Sequence, residues 1–229
     1  MTSRPIFKAI NSAPFFKAES VNFTYYSGFS LSQKQKSINS LHSEYTKTYP
    51  KSKILEISSK SSSELGISLS AFNLNIITTK RSFSVECAFQ SSKVFEHGGP
   101  YTDLLTKSSR DAKKDDRLRN SGKLKSFKYF DSTFPIEPAD FFYNWLYINA
   151  LYLHPELSNE ITKYDCFSDI EFNPQKSINC QAKAAAIFVG LSRAGELVHS
   201  LDSRESFLKI IYGVSYIPVY EQLSLNIEN

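Results

Sequence analysis

A single, mostly helical α+β domain with a short antiparallel sheet is the fold class this sequence predicts, on three observations. The chain has 229 residues, 41% of them hydrophobic, which is enough for one substantial core, and no linker divides it. Helical periodicity recurs along the chain and is strongest in Phe141–Leu153 (FFYNWLYINALYL), apolar nearly all round and therefore a central core helix. Alternating stretches are few and short, as a small sheet requires.

Taken in order, residues 1–20 carry Pro5 and Pro14 with scattered aromatics and no sustained period, and they read as an irregular wrap over the body. Val21, Phe23 and Tyr25 alternate with Asn22 and Thr24 in a short strand that closes near Gly28. Ser30 followed by Gln33 makes a capping box, and Leu31, Ile38, Leu41 and Tyr45 continue a helix to about Thr48, before Pro50. Lys53–Ser58 (KILEIS) is the next strand. Ser59–Gly66 is too polar and small for an element interior and reads as a ligand-contacting loop or a plain connector.

Leu74, Ile76 and Ile77 form another short strand, Thr79-Lys80-Arg81 turns the chain, and Ser84 caps a helix expected to run to Phe95. On that helix Glu86, Gln90 and Lys93 fall within roughly 60° of one another, framed by Val85 and Phe89 on one side and Cys87 and Val94 on the other. A polar stripe between two apolar edges suits the wall of a pocket, or else a satisfied Glu86–Lys93 pair at a rim.

His97-Gly98-Gly99-Pro100 breaks the chain. Residues 107–128 then carry nine Lys or Arg against Asp111, Asp115 and Asp116, which is either a solvated surface or a footprint for phosphates. Trp145 and Tyr143 on the apolar helix are core residues or stacking platforms. Pro155 opens a short helix to Asp165. Asp169–Gln181 then supplies two acids, Asn173, Asn179 and Lys176 before a helix over Ala182–Ala194 that Gly195 ends. The start of that helix would receive a phosphate, or is simply capped by Ser177 or Asn179. The tail from Leu208 to Tyr216 has the pattern of a strand or a helix.

Composition limits the function classes. The charged fraction is 22%, the aromatic fraction 14% with 18 Phe, 13 Tyr and one Trp, so the chain is globular rather than disordered. Cys87, Cys166 and Cys180 lack CxxC or His spacing, which argues against a disulfide framework or a zinc site and for a reducing, cytoplasmic setting. There is no apolar signal segment and no run near the roughly 18 residues of a membrane span, so no membrane partner is expected. A net charge of +4 is mild, and its concentration matters more than its sum.

These blocks together resemble the NADAR superfamily of YbiA-like proteins. The resemblance rests on Leu69-Ser70-Ala71-Phe72-Asn73 for an LSNF-like segment, Glu86 through Phe95 for an E-H-x-x-Q-x-x-K-F-like helix, His154-Pro155-Glu156-Leu157, and Asp169 through Asn179 for the acid- and Asn-rich loop. It runs from about residue 54 to residue 195. Cys87 stands where the family has His, and the W-G pair of the last loop is missing. The first 50 residues look like an addition found in the branch associated with DNA ADP-ribosyltransferase (DarT-type) toxins. Residues 1–50 are accordingly expected to be an extension packed on the body, and residues 51–229 the NADAR-like catalytic domain.

The resemblance implies an ADP-ribosyl glycohydrolase that cleaves the N-glycosidic bond between ADP-ribose and guanine in DNA, an antitoxin needing no cofactor and no metal. ADP-ribosylated DNA or ADP-ribose would be its partner, with a cognate toxin as a further candidate. Such chemistry needs acids near the anomeric carbon and groups for the hydroxyls and diphosphate. Lys60, Glu86, Asp169 and Glu171 are the candidate catalytic residues, with Lys60 favoured over Lys93 as an amine nucleophile. Asn73, Gln90, Lys93, Trp145 and Asn179 are the candidate substrate ligands. The alternatives are an N-glycosidase acting on a phosphorylated riboflavin-pathway intermediate and a noncatalytic ADP-ribose-binding module.

Overall fold

The segment expected to be irregular, residues 1–20, holds the first strand and most of the second, and the strand expected from Val21 is the end of that second strand, which stops at Phe23. In the computed structural model, which describes residues 2–214, β1 (Thr2–Ala9) and β2 (Phe16–Phe23) pair as an antiparallel hairpin from Thr2↔Phe23 to Ala9↔Phe16. β1 also pairs antiparallel with β9 (Cys166–Ser168), and β3 (Ile54–Glu56) joins β9 in parallel, giving a sheet of order β2-β1-β9-β3. Alternation is absent from β1 because both of its faces are covered. Ile6 packs into a small core with Ile38, Leu41, Tyr45 and Ile170, whereas its neighbour Phe7 enters the main core.

Helix α1 (Leu31–Thr48) covers one face of this sheet and α8 (Gln181–Ala194) the other. Ser30 caps α1 by accepting the Gln33 N–H, and Gly195 ends α8 in the left-handed conformation, φ +75°. Gly190 of α8 faces the turn after β1 so closely that a methyl group there would stand 2.4 Å from the Phe15 carbonyl oxygen. The N-cap position of α8 is Cys180, with no side-chain cap bond, so neither Ser177 nor Asn179 serves that role.

Between β3 and α3, the serine-rich stretch remains a loop only to Ser63, and α2 (Glu64–Ser68) follows. β4 (Asn75–Ile77) pairs with a strand missing from the sequence reading, β5 (Ser82–Ser84). Helix α3 covers Val85–Ser91 and stops short of the expected Phe95. The Ser91 and Ser92 hydroxyls both bond back to the Ala88 carbonyl, and Lys93–Phe95 leaves as β6. The basic stretch divides into α4 (Ser109–Lys114), α5 (Arg117–Asn120) and β7 (Leu124–Tyr129), which pairs with β6 and with β8 (Ser132–Phe134).

Helix α6 (Phe141–Tyr152) is the predicted core helix and packs on α3 and α8, with α7 (Pro155–Ile161) after it. Helices α9 (Leu197–Leu201) and α10 (Arg204–Phe207) close the body, and Leu208–Tyr212 adds a π-helical turn; Tyr216 of the predicted tail lies outside the described residues. Among the described residues no helix is long and apolar enough to cross a membrane.

Candidate active site

The helix that carries the predicted polar stripe is wholly buried. Ser84 caps α3 by accepting the Cys87 N–H, and the 69–74 segment docks on its start through Glu86 N–H to the Ala71 carbonyl and Val85 N–H to the Leu74 carbonyl, both 2.9 Å. Gln181, first residue of α8, ties the flanking loops together. Its Oε1 accepts the Ala71 N–H at 2.7 Å and its Nε2 donates to the Ile57 carbonyl at 2.7 Å.

These elements enclose a cavity of about 660 Å³. Lys60, Glu86, Gln90, Lys93, Asp169, Glu171 and Asn179 all line it, although they come from three separate stretches of the chain. Asn73 and Trp145 do not. The Asn73 amide donates to the Ile67 carbonyl at 2.9 Å outside the cavity, and Trp145 packs on Phe134 and Tyr129 in the core. The ring that does reach the cavity from α6 is Tyr143.

Acids and amines are interleaved on the wall. Gln90 Nε2 donates to Glu86 Oε1 at 2.9 Å, and Lys113 Nζ stands 3.7 Å from the same oxygen. Lys93 Nζ lies 4.9 Å from the Phe89 ring centre. Burial lowers the Lys93 amine to about 8, with the Glu86 charge opposing and the Lys113 charge assisting. Across the cavity, burial and then the Glu56 carboxylate raise Asp169 to about 8, so it keeps its proton at neutral pH. Glu171, half-exposed at the rim, is engaged by Lys34 of α1 at 2.9 Å.

Three buried polar atoms of the lining have no partner: Ser70 Oγ, Gln90 Oε1 and Asn179 Oδ1. Orphaned buried groups are costly, so these three side chains store unsatisfied hydrogen-bonding capacity just behind the cavity wall.

Among the lining, Ser58, Ser70, Phe72 and Gln181 were given no site role by the sequence, nor was Glu56 beneath it, while Arg110, Lys113 and Lys114 belong to the basic segment that offered a phosphate footprint. Glu56 carried a readable signal, since it is the one charged residue in the apolar run Ile54–Ile57. The basic segment sorts itself in three dimensions. Arg110, Lys113 and Lys114 line the cavity, whereas Arg117 is held by Asp103 and Asp115 at 2.7 and 2.8 Å, and Lys125 by Glu96 at 3.0 Å. No group of three or more His, Cys, Asp or Glu side chains among the described residues is arranged to hold a metal ion.

No curated protein matches the chain. A family model described as DarT1-associated NADAR antitoxin matches residues 2–218, nearly its whole length. The expected resemblance to NADAR proteins of toxin-associated type is thereby borne out, and its N-terminal limit moves from residue 54 to residue 2. With the match spanning both the hairpin and the cavity, this chain belongs to the family of DarT1-associated NADAR antitoxins.

Proposed function

We propose that the protein hydrolyses the N-glycosidic bond between ADP-ribose and guanine in DNA, reversing the modification made by a cognate DNA ADP-ribosyltransferase toxin in the cytoplasm. The observation that carries this reading is one cavity lined by a proton-bearing Asp169, by Glu86, Gln90 and Asn179, and by a rim of the cations Arg110, Lys113 and Lys114. The rim suits phosphates of the ADP moiety and of the strand. The amide side chains of Gln90 and Asn179 on the lining suit ribose hydroxyls or base edges.

Chemistry follows from the same geometry. Asp169 donates its proton to the guanine nitrogen as the bond to the anomeric carbon breaks, while Glu86 takes a proton from the attacking water. The water oxygen ends on the anomeric carbon, guanine leaves with its hydrogen restored, and the proton on Glu86 returns to Asp169 through solvent. Lys93 offsets charge beside Glu86. Lys60 faces the same space, and comparison of Lys60→Ala with Lys93→Ala tells which amine the reaction uses.

The test is incubation of the protein with an oligonucleotide carrying one ADP-ribosylated guanine, followed by chromatography and mass measurement. Free ADP-ribose and unmodified guanine are expected over many turnovers. Binding at one-to-one stoichiometry without release would make the protein a reader. Release only from a small phosphorylated N-riboside would favour the metabolite-directed reading.

A further inference from the structure

Asp169 lies between two residues that a single buried carboxylate holds. The Ile170 N–H donates to Glu56 Oε1 at 2.8 Å, Ser168 Oγ donates to Glu56 Oε2, and Ser58 Oγ adds a third bond at 2.7 Å. Glu56 ends β3, is only 3% exposed, and lies under the cavity floor rather than on its wall. Ser168 Oγ also meets His42 Nε2 of α1 at 2.7 Å. Burial lowers His42 to about 4, so its ring is neutral at pH 7. Because Ser168 spends its hydrogen on Glu56, His42 supplies the hydrogen of the next bond from Nε2.

We propose that Glu56 is the positioning residue of this site: by gripping Ser168 and Ile170 and keeping its negative charge, it aims Asp169 into the cavity as the acid, with His42 locking the grip. This rests on Asp169 being the acid of the proposed hydrolysis. Two buried carboxylates this close share their charge unequally, and the one with more donors ionises. Glu56 accepts three hydrogen bonds, from Ile170, Ser168 and Ser58, whereas Asp169 has two donors beside it, the Glu171 N–H at 3.0 Å on Oδ1 and the Gln181 amide. The other titratable groups facing Asp169 are Glu171 of its own loop, Tyr143 and Tyr147 of α6, and Cys180 before α8. Burial pushes the Glu56 carboxyl up as well, and the hydrogen bonds from Ile170, Ser168 and Ser58 oppose that rise and favour its ionised form. The consequence reaches the N-terminal region: α1 contributes to the acid through His42 although that residue is absent from the cavity lining.

Glu56→Gln isolates the charge. The amide oxygen can keep the bonds from Ile170 and Ser58, and the amide nitrogen can donate to Ser168, which then turns to donate to the other tautomer of His42. The experiment follows the Asp169 carboxyl by carbon-13 NMR in the full chain labelled at aspartate, with Asp169→Asn assigning the resonance. Wild type is expected to titrate near 8, and Glu56→Gln lower by about one pH unit or more. The alkaline limb of ADP-ribose release should move down by the same amount. A well-folded Glu56→Gln whose Asp169 midpoint is unchanged overturns the proposal. Should Glu56→Gln not fold, Ser58→Ala removes one donor to Glu56 and should lower the Asp169 midpoint by a smaller amount; an unchanged midpoint there overturns it equally. A midpoint that moves in a protein releasing no ADP-ribose upholds the Glu56–Asp169 coupling and sinks the glycohydrolase reading alone.

Discussion

Gln90 Nε2 donates to Glu86 Oε1 at 2.9 Å across one turn of α3, and both side chains line the cavity. The amide thus orients the carboxylate on the cavity wall. Glu86→Gln keeps the volume and removes the base. ADP-ribose release from modified DNA is expected to fall by about 10²-fold or more, with Tm within a few degrees of wild type. Full activity in that variant would remove Glu86 from the reaction.

Asp169 should reveal itself through stability as well as rate. Its folded pKa of about 8 lies above the ordinary carboxylate value of 3.8, so between those limits the native state binds more protons than the unfolded chain and stability falls as pH rises. Asp169→Asn carries no such penalty. Its Tm should exceed that of wild type by a margin that widens from about pH 4 to pH 8 and then levels, while its ADP-ribose release is lost at every pH. Wild-type activity should decline as pH rises through about 8, where Asp169 loses its proton and Lys93 its charge. Scanning calorimetry and initial rates over pH 4–9 check both; a margin independent of pH would contradict the assigned proton.

The rim predicts a salt dependence that belongs to particular residues. Arg110→Glu with Lys114→Glu should weaken binding of an ADP-ribosylated oligonucleotide by about tenfold or more and flatten its salt slope by about 0.7 to 0.9 for each phosphate no longer neutralised. Arg117→Glu, whose guanidinium is already spent on Asp103 and Asp115, should change that slope little. Fluorescence anisotropy across a salt series measures the difference. Equal effects at the two sites would detach the rim from strand binding.

Gly190→Ala tests the packing of α8 on the first hairpin. Alanine favours a helix over glycine by about 1 kcal/mol, but the added methyl would meet the backbone carbonyl oxygens of Phe15 and Ile10 at 2.4 and 2.5 Å. Backbone cannot swing aside as a side chain can. A net loss of about 1 to 3 kcal/mol is expected, which for a chain of this size lowers Tm by roughly 2 to 12 °C. An unchanged or higher Tm would mean that the hairpin yields to the methyl group.

Helix α1 with its Ser30 cap, the apolar α6, the start of α3 at Ser84 and the glycine end of α8 were all legible because each rests on local signals: a capping hydroxyl, an apolar period, or a residue tolerant of positive φ. The β1–β2 hairpin was not, since a strand buried on both faces shows no alternation and its prolines read as breakers. The end of α3 was misplaced for a related reason. Val94 and Phe95 continue a helical pattern on paper, while two serine hydroxyls and the pairing of β6 with β7 draw them into a strand.

By itself the sequence determined the chemistry on offer: the acids, amines and amides at family-like spacing, and the helices that carry several of them. Only the tertiary structure decided which of them meet. It gathered Lys60, Glu86, Gln90, Lys93, Asp169, Glu171 and Asn179 around one cavity, left Asn73 and Trp145 outside, and put the unforeseen Glu56 beneath Asp169. The physical reason is that burial and long-range hydrogen bonds set a carboxylate's proton affinity, and both come from residues distant in sequence, such as Glu56 and Asp169, that share an interior only when the chain has folded.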